Sequence, residues 1–222
     1  MKISNLYESN ISSLITFLKS EDSYEYEGNV KEIKSIENLI EYLNVNGYEL
    51  RPLQGGSHAD VYKIGSSEYV LRVSKPNQLH NDLWWDWCKV IKDHHTSSLM
   101  PKILFSKSYY YEEKMVLAKA AIMEHVDLLA AHRLGLKTRL YRFEPYIIHL
   151  YHYIIGEKID QWQITDQEAF NVLKSVGASY NDILKFVESV KSVIGTDVHL
   201  LDVHSRNLGL RRDGSLVVFD PI

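Results

Sequence analysis

The sequence predicts an α+β fold: a five-stranded antiparallel sheet with one inserted helix, then a helical half, then an acid-bearing β-hairpin. Three observations carry that expectation. Apolar residues recur at helical spacing through the first 47 residues. They then alternate with polar ones in short runs broken by Gly-Gly and Gly-Ser-Ser, the signature of antiparallel strands. Helical spacing returns from Asp127 onward, until an Asp-Gly pair splits the last apolar runs into a hairpin.

Taken in order, NLYESNISSLITFLKS (5–20) spaces Leu6, Ile11, Leu14, Ile15 and Leu18 as one helical stripe, with Ser4 or Asn5 as cap. The polar stretch EDSYEYEGN reads as a loop. KEIKSIENLIEYLNVNG places Ile33, Ile36, Leu39, Ile40 and Leu43 on one helical face that Asn46-Gly47 ends. YELRPLQGGSHADVYKIGSSEYVLRVSKP reads as three strands. LHNDLWWDWCKVIKDHH reads as a helix with Leu79, Leu83, Trp87, Val90 and Ile91 as its apolar stripe. MPKILFSKSYYYEE and KMVLAKAAIMEHV supply two further strands, with the rings of Tyr109 to Tyr111 alternating in and out at a strand end. Ala130 to Leu140 is one helix candidate, and Asp166 to Ile194 covers one or two more. NLGLRRDGSLVVFDP is the hairpin, turned at Asp213-Gly214. The expected divisions are a helical extension (1–49), a sheet-rich lobe (50–126) and a helical lobe carrying the hairpin (127–222).

Composition narrows the classes. The chain has 222 residues, of which 45% are hydrophobic and 24% charged, enough for one large or two small cores. A formal net charge of -4 gives no general reason to expect nucleic acid or a membrane surface as partner. Cys88 stands alone, so no internal disulfide forms, and a reducing cytoplasm is the expected setting. No basic segment followed by an apolar run opens the chain, and no apolar stretch of about 18 residues occurs, so a soluble protein is expected. Asp93-His94-His95 lacks further ligands at metal spacing.

The hairpin carries the strongest chemical signal. Asp202 and Asn207 are five apart, a short apolar strand begins directly after the Asn, and Asp220 closes the second strand. A hairpin brings its flanks together, so Asn207 and Asp220 are expected side by side with Asp202 near them. Oxygen donors of this kind suit Mg²⁺, which keeps waters and substrate phosphates in its shell. Asp202 is then left to orient or deprotonate a hydroxyl nucleophile. Phosphoryl transfer needs these parts, because its catalysis is mainly positioning and charge neutralisation.

The order of strand pair, basic strand, helix, two strands ending in IMEHV, helices, D-x-x-x-x-N and an Asp-Pro hairpin end resembles the protein-kinase fold. DVHSRN and VVFDP more narrowly resemble the early serine/threonine protein kinase of podoviruses of the T-seven group, over roughly residues 50 to 222. The resemblance implies a bilobal fold with ATP and Mg²⁺ as ligands, and phosphoryl transfer to host proteins in the host cytoplasm. It implies Asp202 as the catalytic base and Asn207 and Asp220 as the metal ligands. Gly55, Gly56 and Ser57 fall in the loop over the phosphates, Arg72 in the place of the phosphate-pairing Lys, and Glu124 and Val126 in the hinge facing adenine. Asp82 or Asp86 stands where the helix Glu pairs with that basic residue.

The departures define the rivals. Only Gly56 matches the glycine pattern of the loop, Arg72 replaces Lys, and Leu200 stands two before Asp202, where a His is usual. The chain ends two residues after Asp220, without the segment that holds a peptide in larger kinases. A pseudokinase that binds and inhibits a host protein is therefore the second expectation, with Trp84 and Trp85 as its surface; the alternative for these rings is to anchor their helix on the sheet. His204 is also familiar from aminoglycoside phosphotransferases, so a small-molecule phosphotransferase is the third. Glu144, Asp160 and Asp166 are too scattered to define its pocket. Arg211 and Arg212 are expected to be solvated beside the turn.

Overall fold

In the computed structural model the described residues are 3–20, 23–26, 29–53, 58–75, 83–93, 97–111, 116–126, 143–156 and 164–222. The candidates Leu79 and Asp82, the helix proposed over 130–140, and His94, His95 and Asp160 lie outside them, as do Gly55, Gly56 and Ser57. By chain contacts the protein divides into two units, one of residues 1–82 with 103–125 and the other of residues 83–102 with 126–222. Among the described residues there are six α-helices and a five-stranded antiparallel sheet.

The first unit is built on that sheet. Strands β3 (Leu50–Pro52), β4 (Ala59–Ile64), β5 (Tyr69–Ser74), β6 (Ile103–Tyr111) and β7 (Val116–Glu124) lie in the order β3-β4-β5-β7-β6. Every pairing is antiparallel. Strand β5 is central and almost wholly buried, which is why YVLRVS is nearly continuous in apolar residues rather than alternating. At the edge, Tyr109 is buried and Tyr110 is 53% exposed, as period-two alternation requires.

Helices α1 (Ile3–Ser20) and α2 (Ile36–Val45) close one face of the sheet unit. Leu14, Leu18, Leu39 and Leu43 form a single cluster with Leu71, Phe105, Tyr109 and Ile122. The segment expected as an N-terminal extension therefore supplies part of the sheet unit's core. Helix α2 starts later than its apolar period suggests, because the Ser35 hydroxyl accepts the Asn38 N–H and caps it there. Ile33 is buried but precedes the helix. EDSYEYEGN is not a plain loop: β1 (Ser23–Tyr26) and β2 (Asn29–Glu32) pair antiparallel in register Ser23↔Glu32. Its polar side chains hide a Ser-Tyr-Glu-Tyr alternation that hydropathy does not register.

The second unit is helical. Helix α3 (Trp84–Asp93) is followed by the segment 97–102, then by α4 (Phe143–Ile155), α5 (Asp166–Lys174) and α6 (Tyr180–Ile194). Trp84, Trp85 and Trp87 are 0%, 3% and 0% exposed, so the aromatic docking surface expected of α3 is absent. Trp87 donates its indole N–H to Ser189 Oγ of α6 at 3.0 Å, which ties α3 to the second unit. Helix α4 has no single candidate in the sequence reading because Phe-Glu-Pro-Tyr-Ile-Ile is rich in strand-favouring residues. Its buried Ile147, Leu150 and Tyr151 nonetheless follow three-four spacing. Ser179 and Asp182 form a capping box at the start of α6.

Tyr42 of α2 stacks on Phe17 of α1 with centroids 4.6 Å apart and planes 7° from parallel. Burial, with the nearby Tyr48, pushes its phenol from 10.0 up to about 12. A raised pKa on an acid that is neutral in the fold means this stabilisation is complete below pH 10 and is lost as pH rises toward 12. Tyr42→Phe should keep the stack and flatten the loss of stability between pH 10 and pH 12 relative to the parent; urea unfolding at several alkaline pH values checks this, and an equal slope in both proteins contradicts it.

Candidate active site at the C-terminal hairpin

Strands β8 (Leu208–Leu210) and β9 (Leu216–Val218) pair in register Leu208↔Val218 and Leu210↔Leu216. The connection is not a two-residue turn. Arg211 N–H reaches Ser215 O at 2.9 Å and Gly214 N–H reaches Arg211 O at 3.0 Å, which leaves Arg212-Asp213-Gly214 as a three-residue loop with Gly214 at φ 85°. That left-handed position is why a glycine follows the aspartate. Ser215 N–H and Oγ–H both donate to the Asp213 carboxylate, at 2.9 and 2.7 Å, and hold it below the usual carboxylate range.

The hairpin's register continues past its strands. Phe219 N–H donates to Asn207 O at 3.0 Å, and Asp202 N–H donates to Pro221 O at 2.7 Å. Asp220 sits between those two bonded residues, so its backbone is held on both sides against the 202–207 segment. The Asn207 amide crosses the same segment: Nδ2 donates to Asp202 O at 2.8 Å and to Asp202 Oδ2 at 3.1 Å. The structure thus brings Asp202, Asn207 and Asp220 together, as the spacing predicts. Asp202 keeps 59% of its side chain exposed.

A one-turn 3₁₀ helix, Ser205–Asn207, shapes the loop between the acid and the amide. Its cap is His204, whose Nδ1 accepts the Arg206 N–H at 3.1 Å, while its Nε2 lies 3.4 Å from Asp202 Oδ1. This pairing of His204 with the acid is not foreseen by the sequence reading. Its signal is the two-residue spacing, which lets one imidazole reach both the turn it caps and the preceding carboxylate.

Segment 97–102 and helix α3 support the hairpin from behind. Val218 N–H donates to Leu99 O at 2.7 Å, Leu216 N–H to Val176 O at 3.1 Å, and Trp84 Nε1–H to Phe219 O at 2.8 Å. Arg211, expected to be solvated, is half-buried and donates to the carbonyls of Ser98 and Met100, the latter at 2.9 Å. Gly177, at φ 88°, lies so near the hairpin that an added Cβ would stand 3.3 Å from Ser215 Cβ. Asp182 completes the frame: burial alone would raise its carboxyl, but hydrogen bonds from Ser179 and Ser98 outweigh that and lower it.

The remaining candidates lie elsewhere. Arg72 is 7% exposed in the middle of β5, flanked by Val61 and Ala121 on the neighbouring strands. Glu124 is the last residue of β7, opposite Tyr69, and His125 N–H continues that pairing to Glu68 O at 2.8 Å. Val126 follows, half-buried, where the chain passes into the second unit. Asp86 is on the exposed side of α3 and pairs with Lys89 of the same helix at 2.9 Å. Among the described residues no group of three His, Cys, Asp or Glu side chains is placed to hold a metal ion, and no helix is long and apolar enough to cross a membrane.

Removing the Arg211 clamp should loosen the hairpin without touching the acids. Arg211→Leu keeps much of the stem's packing and deletes the charged donors to Ser98 O and Met100 O, so a loss of about 1.5–3 kcal/mol of unfolding free energy is expected. Urea denaturation measures it, and an unchanged midpoint would show that the clamp carries no stability.

Compared with known proteins, the chain matches no family model, and no curated protein matches its sequence.

Proposed function

We propose that this protein is a small kinase-like phosphotransferase that uses ATP and Mg²⁺ to phosphorylate hydroxyl groups of host proteins. The observation that carries the reading is the closed arrangement around Asp202. Its backbone is bonded to Pro221, its side chain to Asn207, and Asn207 in turn to Phe219, with Asp220 between the two anchor points. The Asp202 carboxylate is exposed and takes the Asn207 amide, a polar contact that fills no core.

The donor set fits Mg²⁺. Asn207 commits its Nδ2 to Asp202, so its Oδ1 is the amide's hard oxygen, and with the Asp220 carboxylate it is the proposed ligand pair. Two protein oxygens are what Mg²⁺ takes when phosphates and waters complete its shell. Bound there, the ion supplies neutralisation of phosphate charge. The chain's own residues do the rest. Asp202 accepts the hydroxyl proton as the oxygen attacks the γ-phosphorus, and Asn207 holds its carboxylate in place. Arg72, on the central strand of the sheet unit, is the proposed contact of the nucleotide phosphates; its fork offers more donors than a Lys ammonium but demands more room. Backbone groups of Glu124 and Val126 are the proposed adenine contacts. A bilobal, kinase-like relation between the sheet and helical units belongs to the same proposal.

The Trp84 and Trp85 surface offered for the binding-only rival is buried, while the departures that raise that rival, Arg72 and the glycine loop among them, stand. The two readings separate in one preparation. Magnesium-dependent ATP binding is measured by calorimetry beside radiolabel transfer to protein. Asp220→Ala should abolish or sharply weaken the binding, while Asp202→Asn should leave it intact and lower transfer by about 10²–10⁴-fold. Binding with label transfer that Asp202→Asn does not reduce would sink the base assignment. Label appearing only on small-molecule hydroxyls would move the substrate class to that of the aminoglycoside-type enzymes.

A further inference from the structure

The two ring nitrogens of His204 face different partners. Nδ1 accepts the Arg206 backbone N–H at 3.1 Å. A nitrogen that accepts must carry a lone pair, so the neutral ring bears its proton on Nε2. Nε2 in turn stands 3.4 Å from Asp202 Oδ1, while Asn207 Nδ2 stands 3.1 Å from Asp202 Oδ2. The 3.5 Å separation between Asn207 Nδ2 and His204 Nε2 is then that of two donors converging on one carboxylate, not a bond between them. Oδ2 receives the Asn207 donor, and the imidazole edge lies beside Oδ1.

We propose that His204 is a positioning residue for Asp202: locked into one tautomer by the turn it caps, it presents Nε2–H to Oδ1 and, with Asn207 on Oδ2, fixes the plane of the carboxylate. The inference rests on Asp202 being the base. In that step the substrate O–H bond breaks and its proton passes to an Asp202 oxygen. The substrate oxygen bonds to the γ-phosphorus, and the bond from that phosphorus to the β–γ bridging oxygen breaks, releasing ADP. His204 gives up no proton. Its effect is geometric, since a carboxylate free to turn about Cβ–Cγ would aim its lone pairs away from the hydroxyl for part of the time.

The test has a spectroscopic arm and a kinetic arm. In the ¹⁵N-labelled parent protein at pH 8, long-range ¹H–¹⁵N correlation, assigned by loss of the signal in His204→Asn, should show His204 as the Nε2–H tautomer. The Nδ1–H tautomer would overturn the proposal without any appeal to activity. In the kinetic arm, His204→Asn keeps an acceptor suited to capping the turn but is too short to hold Oδ1 as well. It should lower kcat for label transfer about 10- to 100-fold while KM for ATP stays within about twofold. Unchanged kcat in that variant would overturn the positioning role and leave the Asp202 reading standing. No transfer by the parent protein to any hydroxyl would overturn the Asp202 reading and the role of His204 with it.

Discussion

The hydrogen bond from Asp202 N–H to Pro221 O, with its companion from Phe219 N–H to Asn207 O, is the constraint on which the candidate site depends. Together they extend the short β8–β9 ladder beyond the last residues of its strands, so that three polar side chains separated by as many as 18 positions share one end of a hairpin. Neither bond involves a side chain. The geometry of the site is thus a property of backbone register, and side-chain chemistry is added to a frame already fixed.

A two-stranded ribbon is marginal by itself, and this one is held by what lies behind it. Leu99 O, Val176 O, the Trp84 indole and the Arg211 guanidinium each satisfy or recruit a group of the hairpin. Asp182 ties segment 97–102 to the start of α6, with the Ser98 N–H at 2.6 Å from its carboxylate. The exposed Asp202 and the partly buried Asp220 are thereby carried on buried supports. The same logic explains the tryptophans: their rings fill the unit's interior, and the indole N–H groups of Trp84 and Trp87 reach acceptors on the hairpin and on α6.

The sheet unit follows a different rule. Its central strand buries Val70, Leu71 and Val73 beside the polar Arg72 and Ser74, and the α1–α2 pair supplies leucines and isoleucines at helical spacing to the same core. A buried guanidinium in such a strand is costly unless its donors are met, and it is among the least ordinary features of the unit.

Local periodicity was sufficient for most elements. The five sheet strands, α2, α3 and the final hairpin are written in the alternation or three-four spacing of their own residues, and Asp202, Asn207 and Asp220 are legible because a hairpin's geometry follows from its turn. Where polar or strand-favouring residues mask the period, as in SYEY and FEPYII, sequence alone misread or passed over the element. Tertiary structure decided the rest. It buried the three tryptophans of α3, grouped α3 with the helical unit, folded α1 and α2 into the sheet's core, drew Arg211 off the surface and set His204 against Asp202. These are matters of which face meets which. A single sequence encodes the period of each face, while the identity of its partner depends on contacts between segments distant along the chain.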